Sequence, residues 1–392
     1  MRSARLFRWL FMLVILSMLP FSAFSQEDKQ KEKPVYTFTI DHVVKRTPVK
    51  NQYHTGTCWS FSTVSFLESE LLRLGKEEMD LSEMFVVRNT YPLKAQNYIR
   101  LHGNATFGEG ALSHDAINQI RLYGIVPENV YPGLKIGEKR HNHGEMYSVL
   151  KAMLDAVLKQ NGKKVTPRWL DAFDAVLDVY LGTPPKEFKY KGKTYTAKSF
   201  LSDYLQLDLD QYIEFTSLTH HPFYQKCRVE IPDNWSCNDN YFNVPLDDLE
   251  KIADYALTNG NSFVWDGDVS ERNFSSRKTG YGIVPLKDWE DKTEAEKKVK
   301  ITEPVAEKVV TQQLHQQAFN NFTTTDDHLM HVVGLAHDQN GNKFYYTKNS
   351  GGTDRKYDGY VYLSRAYFRL KIIGMMVHKD AVPPDIKARL NL

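Results

Sequence analysis

Gln52-Tyr53-His54-Thr55-Gly56-Thr57-Cys58-Trp59-Ser60-Phe61 is the stretch from which the fold is read, because it sets a thiol at the head of an apolar run. From there Trp59, Phe61, Val64, Leu67, Leu71 and Leu74 recur at helical spacing, and Gly75 supplies a stop. The spacing predicts a buried helix over Cys58–Leu74. A helix start offers unpaired N–H groups and a positive partial charge, which lower a thiol pKa and favour the thiolate. The same N–H groups can hold an oxyanion, with the amide of Gln52, across a turn, as second donor. Cys58 alone is also compatible with a small buried side chain at a helix start.

A thiol nucleophile needs an imidazole as base and a third group that orients the ring. Thr325-Asp326-Asp327-His328-Leu329-Met330-His331-Val332-Val333-Gly334 begins one strand, and Tyr345-Tyr346-Thr347-Lys348-Asn349-Ser350 ends another. The turn Asp338-Gln-Asn-Gly341 makes them an antiparallel hairpin, with His328 and Asn349 at the same open end. An amide oxygen there can accept from the imidazole N–H. His328 and His331 face opposite ways on a strand, so they cannot both serve one site.

With these residues in place the chain resembles the papain-like cysteine peptidases, in the branch of bleomycin hydrolase and aminopeptidase C. Thr47-Pro-Val-Lys-Asn-Gln52 before Cys58-Trp59-Ser-Phe61 is similar to the family's start, Asp327-His328 with Gly334 to its histidine strand, and Lys348-Asn349-Ser350 to its asparagine motif. Phe107-Gly-Glu-Gly-Ala111, Tyr123-Gly-Ile-Val-Pro-Glu128 and Tyr131-Pro-Gly133 resemble the region whose glycines hold the substrate backbone. Thr219-His-His-Pro-Phe-Tyr224, Val229-Glu-Ile-Pro-Asp-Asn-Trp235 and Val264-Trp-Asp-Gly-Asp268 resemble the aminopeptidase branch.

The resemblance implies an α+β, two-lobed papain-like fold and a cysteine aminopeptidase acting on peptides without cofactor or metal. It implies Cys58 as nucleophile, His328 as base and acid, Asn349 as orienter, Gln52 as oxyanion donor, and Gly108 and Gly110 as substrate-binding positions. His328, not His331, lies six residues before Gly334, as the family requires. It further implies that residues 379–392 form an arm lying in the cleft, with the carboxylate of Leu392 presented to the substrate's α-amine, and that homo-oligomers, hexamers in the family, are possible. Endopeptidase action and a catalytically weakened, peptide-binding homologue are the alternatives. The second is motivated by Asn349-Ser350-Gly351-Gly352, where the family has Asn-Ser-Trp-Gly. Without the indole the asparagine–histidine hydrogen bond is expected to be exposed to water and weakened.

The remaining sequence sets the surroundings. Arg2, Arg5 and Arg8 precede an apolar run over Leu10–Leu19 and small or polar residues at Ser22, Ala23 and Ser25, the layout of a secretory signal peptide over 1–25. A secreted or periplasmic protein without a membrane span is therefore expected. Losing those three arginines takes the formal charge from +2 to −1, which removes the electrostatic case for nucleic-acid binding. Only about 20 residues then precede the papain-like start, too few for an inhibitory propeptide. With 42% apolar and 25% charged residues, the 392-residue chain is an ordinary globular one.

Along it we expect a linker over 26–40 and a peptidase domain over 41–392: a helical lobe over 48–140, a mostly helical insertion over 141–210 with a hairpin at Phe188–Tyr195, a β lobe over 211–378 and the arm. Three cysteines are too few for a disulfide scaffold; with Cys58 kept as a thiol, Cys227 and Cys237 either pair in an oxidising compartment or remain inert. His141-Asn-His143 with Glu145 reads as solvated loop, His220-His221 as a packed turn, and Trp265, Asp266 and Asp268 as cleft lining or core.

Overall fold

Helix α1 runs from Cys58 to Arg73 and is buried along Cys58–Leu71, polar residues included. Such burial requires every polar group on it to find a partner, and Glu68 illustrates how. Its carboxylate accepts from Thr47 Oγ1 at 2.5 Å and Leu81 N at 2.9 Å, and Lys50 stands 3.4 Å away. Helices α2 (Glu83–Arg100) and α3 (Ser113–Tyr123) pack on α1, and α4 (Gly144–Leu158) and α5 (Arg168–Leu181) pack on α2. The computed structural model describes residues 35–392 except 136, 138, 160–163 and 300, so the signal peptide expected over 1–25 lies outside the described residues. Among the described residues no helix is long and apolar enough to cross a membrane.

The sheet is built outward from His328–Asp338. That strand pairs antiparallel with Lys343–Lys348 on one side and Phe263–Gly267 on the other, and Phe263–Gly267 pairs with Ile372–His378. Phe38–Val43 pairs with its far half, and there Gly334 is required: a Cβ would stand 2.4 Å from His42 O. Period-2 alternation divides the faces. Val264, Leu329 and Met376 pack with the helices, whereas Trp265, Met330 and Met375 join a second core. The helices Leu246–Thr258 and Arg365–Lys371 cover that side.

Several expectations change. Residues 141–210 join the helical lobe, with Leu150, Leu154, Phe173 and Leu177 in one core with α1, and the hairpin pairs Phe188 with Tyr195. Helix α2 is an element that apolar periodicity misses, because it buries Glu83, Arg88 and Lys94 and contains Pro92. A helix at Gln312–Asn320 begins only beyond Glu307, which is drawn into contact with Val284 N and Ser364 Oγ. A short strand lies at Gln225–Cys227.

Cys227 and Cys237 are both free. Cys227 is buried among Leu218, Val229, Tyr241 and Ile373, whereas Cys237 is exposed at the left-handed φ of 56°. The arm also departs from its expected place. It ends in a helix, Pro384–Leu390, that buries Ile386 and Leu390 in the second core. Asp385 pairs with Lys251 at 2.7 Å, and Arg389 donates to Tyr224 Oη at 2.6 Å. Leu392, 41% exposed, is thus carried on the helix that packs by Leu246–Thr258 and not in the cleft.

Candidate active site

Cys58 is the first residue of α1, and no side chain caps that helix. Ser60 N turns back to Thr57 O at 3.0 Å, which leaves the N–H groups of Cys58 and Trp59 for a ligand. The loop before it is fixed from outside, for Gly56 N donates to Glu109 Oε2 at 2.6 Å and Trp59 Nε1 to Glu109 O at 3.0 Å. The middle of α1 is tied to the sheet through Lys348 Nζ, which donates to Ser65 Oγ at 2.7 Å and, outside the helix, to Thr47 Oγ1 at 2.9 Å. Ser65 Oγ in turn lies 2.9 Å from His331 Nδ1. His331 is wholly buried on the side facing α1 and takes no part in the cleft.

The imidazole of His328 meets Asn349 across the hairpin end, Nε2 to Oδ1, at 2.8 Å. Ser350 N also donates to Asn349 Oδ1, at 2.7 Å, so that oxygen is an acceptor. His328 Nε2 must then carry the hydrogen, which leaves a lone pair on Nδ1. Ser350 extends the network: its Oγ donates to Gln52 Oε1 at 2.5 Å and its carbonyl accepts from Gln52 N at 2.9 Å. Gln52 Nε2 spends one N–H on Thr55 O at 2.7 Å and keeps the second, in a fixed direction, for another acceptor. A cleft of about 800 Å³ opens beside these groups, lined by Gln52, His54, Arg140, Arg277, His328 and Asn349 among others.

Electrostatics modify the expectation for the thiol. Burial pushes Cys58 up to about 12, with Asp326, Asp266 and Asp233 acting in the same direction and the Leu329 N–H opposing them. His328 is held below the usual histidine range by burial, which its bond to Asn349 opposes. Burial thus disfavours the charged form of each group. The helix start does not by itself yield a thiolate.

Gly351 also differs from expectation. Arg355 occupies the space beside it, with Nε donating to Gly351 O at 3.0 Å, and Asn349 is only 8% exposed without any indole. Gly108 and Gly110 direct their carbonyls to Lys94 Nζ, Gly108 at 2.9 Å. Above Gly110 the space is filled: a Cβ there would stand 1.9 Å from Asp233 Oδ2. Asp266 lies on the helix-facing side of the sheet, level with Leu329, while Trp265 faces the opposite core. Asp268 is structural, bonding Ser270 N and Thr325 N.

His141 and His143 are buried, not solvated, and desolvation lowers them to about 4 and about 3. His220 and His221 both reach Glu230, at 3.1 and 2.8 Å. Gln316 Oε1 accepts from Thr219 N, so its Nε2 donates to His220 Nδ1 and leaves the hydrogen on Nε2. That tautomer offers no lone pair to a metal at the point of convergence. Ser350, Lys94, Asp233 and Asp326 are site residues that sequence reasoning gave no role. Ser350 was visible beside Asn349, whereas nothing local marks the other three.

Residues 104–392 match the family model described as the Peptidase C1-like family. Aminopeptidase G of Lactobacillus delbrueckii subsp. lactis is 23% identical over 383 residues, spanning 88% of this chain and 83% of that protein. Bleomycin hydrolase of Gallus gallus is 23% identical over 392 residues, spanning 87% and 82%. Among solved structures, pepw from Lactobacillus rhamnosis superposes with a TM-score of 0.69 at 17% identity, covering 90% of this chain and 84% of that one.

Proposed function

Since the chain belongs to the Peptidase C1-like family and has its papain-like α+β fold, we propose that it is a cysteine aminopeptidase with Cys58 as nucleophile, His328 as base and acid, and Asn349 as orienter. The observation that carries this reading is the bond from His328 Nε2 to Asn349 Oδ1, which directs the Nδ1 lone pair away from the asparagine while Cys58 heads an uncapped helix. The names of the relatives, aminopeptidases and a bleomycin hydrolase, support peptides as substrates.

In the first half-reaction the sulfur attacks the scissile carbonyl carbon and His328 Nδ1 takes the thiol proton. The carbonyl oxygen becomes an oxyanion facing the first turn of α1 and the free N–H of Gln52. As it collapses the C–N bond breaks, and Nδ1–H protonates the leaving amine. Water then attacks the thioester and gives its proton to Nδ1, which returns it to sulfur as the acid leaves. Sequence features over 1–25 support action outside the cytoplasm.

The test compares aminoacyl coumarin amides carrying a free amine with the same compounds N-acetylated, for wild type and Cys58→Ala. Hydrolysis of the free-amine set that vanishes in Cys58→Ala is expected; equal rates for the variant would end the proposal.

A further inference from the structure

An aminopeptidase has to measure one residue from the chain end, so some group must recognise the α-ammonium beside the thiol. The arm over 379–392 is packed against the helix Leu246–Thr258 and brings no carboxylate to the cleft. Resting on the peptidase reading above, we propose that Asp233, Asp326 and Asp266 together form the site for the substrate's α-ammonium group and close the cleft one residue before the scissile bond.

Three independent observations converge. First, Asp233 covers Gly110, with Oδ2 1.9 Å from where a Cβ on that glycine would stand. A chain extending past the first residue along Gly110 has no room there. Second, its loop is held rigidly from both lobes. Asn97 Nδ2 donates to Trp235 O at 2.8 Å, Asn238 Nδ2 to Glu214 Oε2 at 3.0 Å, and Asn234 Nδ2 to Val229 O and Asn238 O, both at 3.0 Å. The carboxylate is therefore a fixed stop and not a mobile surface charge.

Third, the carboxyl groups behind it have only each other as partners. Asp266 is 5% exposed, and no N–H or hydroxyl among the described residues donates to either of its oxygens; its only partner is Asp326, with which it shares a hydrogen bond and whose Oδ2 is also buried. A buried carboxylate without donors is costly, and an ammonium group brings three donors and a positive charge. Asp233 and Asp326 are only half-buried, and Asp326 lies two residues before His328, which lines the cleft. Local charge also favours a cation. Burial pushes Asp233, Asp266 and Asp326 up, so an arriving cation favours their charged forms, and the basic groups near them among the described residues are already committed, Lys94 to the carbonyls of Gly108 and Gly110 and His114 to Glu214.

The three carboxylates act on the sulfur as well, for all of them oppose ionisation of Cys58. A bound ammonium offsets that opposition, so a free amino terminus both docks in the site and eases thiolate formation. An N-acetylated peptide supplies no such charge. Selectivity then appears in kcat as well as in KM.

The experiment measures kcat/KM of the full chain on matched free-amine and N-acetylated aminoacyl coumarin amides for wild type, Asp233→Ala and Asp326→Asn. The expected result is a fall of at least tenfold on the free-amine set in both variants, with acetylated substrates unchanged or faster. A purely structural role would lower both sets alike and overturns the proposal, as does an unchanged ratio. A wild type that cleaves the acetylated set as well as the free-amine set overturns the ammonium site but leaves the peptidase reading standing; a wild type that cleaves neither overturns both. Because loop variants can lose their fold, a second measurement uses wild type alone. A peptide aldehyde with a free amine should inhibit at least tenfold more tightly than its N-acetyl form, and equal inhibition would refute the site.

Discussion

Replacing Asn349 by alanine removes the oxygen that accepts from His328 Nε2 at 2.8 Å and from Ser350 N at 2.7 Å. The first of these becomes a bond to a charged group once the imidazole holds the proton of Cys58. Such bonds contribute about 1.5–3 kcal/mol, and each ~1.4 kcal/mol is tenfold in rate, so kcat/KM should fall about 10- to 150-fold. The loss should lie in kcat, because Asn349 acts through the imidazole. A second signature follows from the direction of the titration. Burial lowers His328, and the Asn349 bond is what opposes that fall; without it the imidazole drops further and the acid limb of the pH–rate profile moves to lower pH. The assay is kcat/KM for a free-amine coumarin amide from about pH 4.5 to 9. A loss below about threefold with an unmoved acid limb would refute the assignment of Asn349 as orienter.

Three further outcomes follow from the packing. His114, in α3, is pushed up to about 9: burial works against its charge, but Glu214, on the strand Tyr212–Thr216, and Asp115 outweigh it. Its contribution, about 3 kcal/mol on the scale of ~1.4 kcal/mol per pKa unit, is fully present below pH ~6.5 and lost as pH rises through about 9. Denaturant titrations should show that decline in wild type and its absence in His114→Gln. Gly334→Ala, forced against His42 O, should cost about 1–3 kcal/mol of stability, visible as a lower Tm; an unchanged Tm contradicts the close strand approach. Removing Asn391 and Leu392 should leave the ratio of free-amine to acetylated turnover unchanged, whereas a rise in acetylated cleavage would return the arm to the cleft.

What the sequence shows and what it hides divides along local and distant contacts. Cys58, His328 and Asn349 are legible because each sits at an element end with a nearby signal: a glycine loop before a periodic helix, and a hairpin turn that brings two strand ends level. Helix α2 was hidden because its core-facing side carries Glu83, Arg88 and Lys94, which are paired at a distance with Lys50, Asp178 and the carbonyls of Gly108 and Gly110. Its one local signal was Ser82, whose side chain accepts from Phe85 N. The thiol's environment was likewise out of reach. Asp233, Asp266 and Asp326 lie on three separate segments, and only the fold brings their charges to one sulfur. Gly351 misled for a related reason, since the side chain that fills its space comes from Arg355, four residues on.

The most direct test of the central claim, that Cys58 is the attacking thiol of a peptidase, is mass spectrometry after treatment with a free-amine peptide bearing a thiol-directed electrophile. A single adduct on Cys58 is expected, matched by loss of hydrolysis and absent in Cys58→Ala, while exposed Cys237 reacts only with simple alkylating agents. An adduct that persists in Cys58→Ala, or hydrolysis that survives that substitution, would contradict the account.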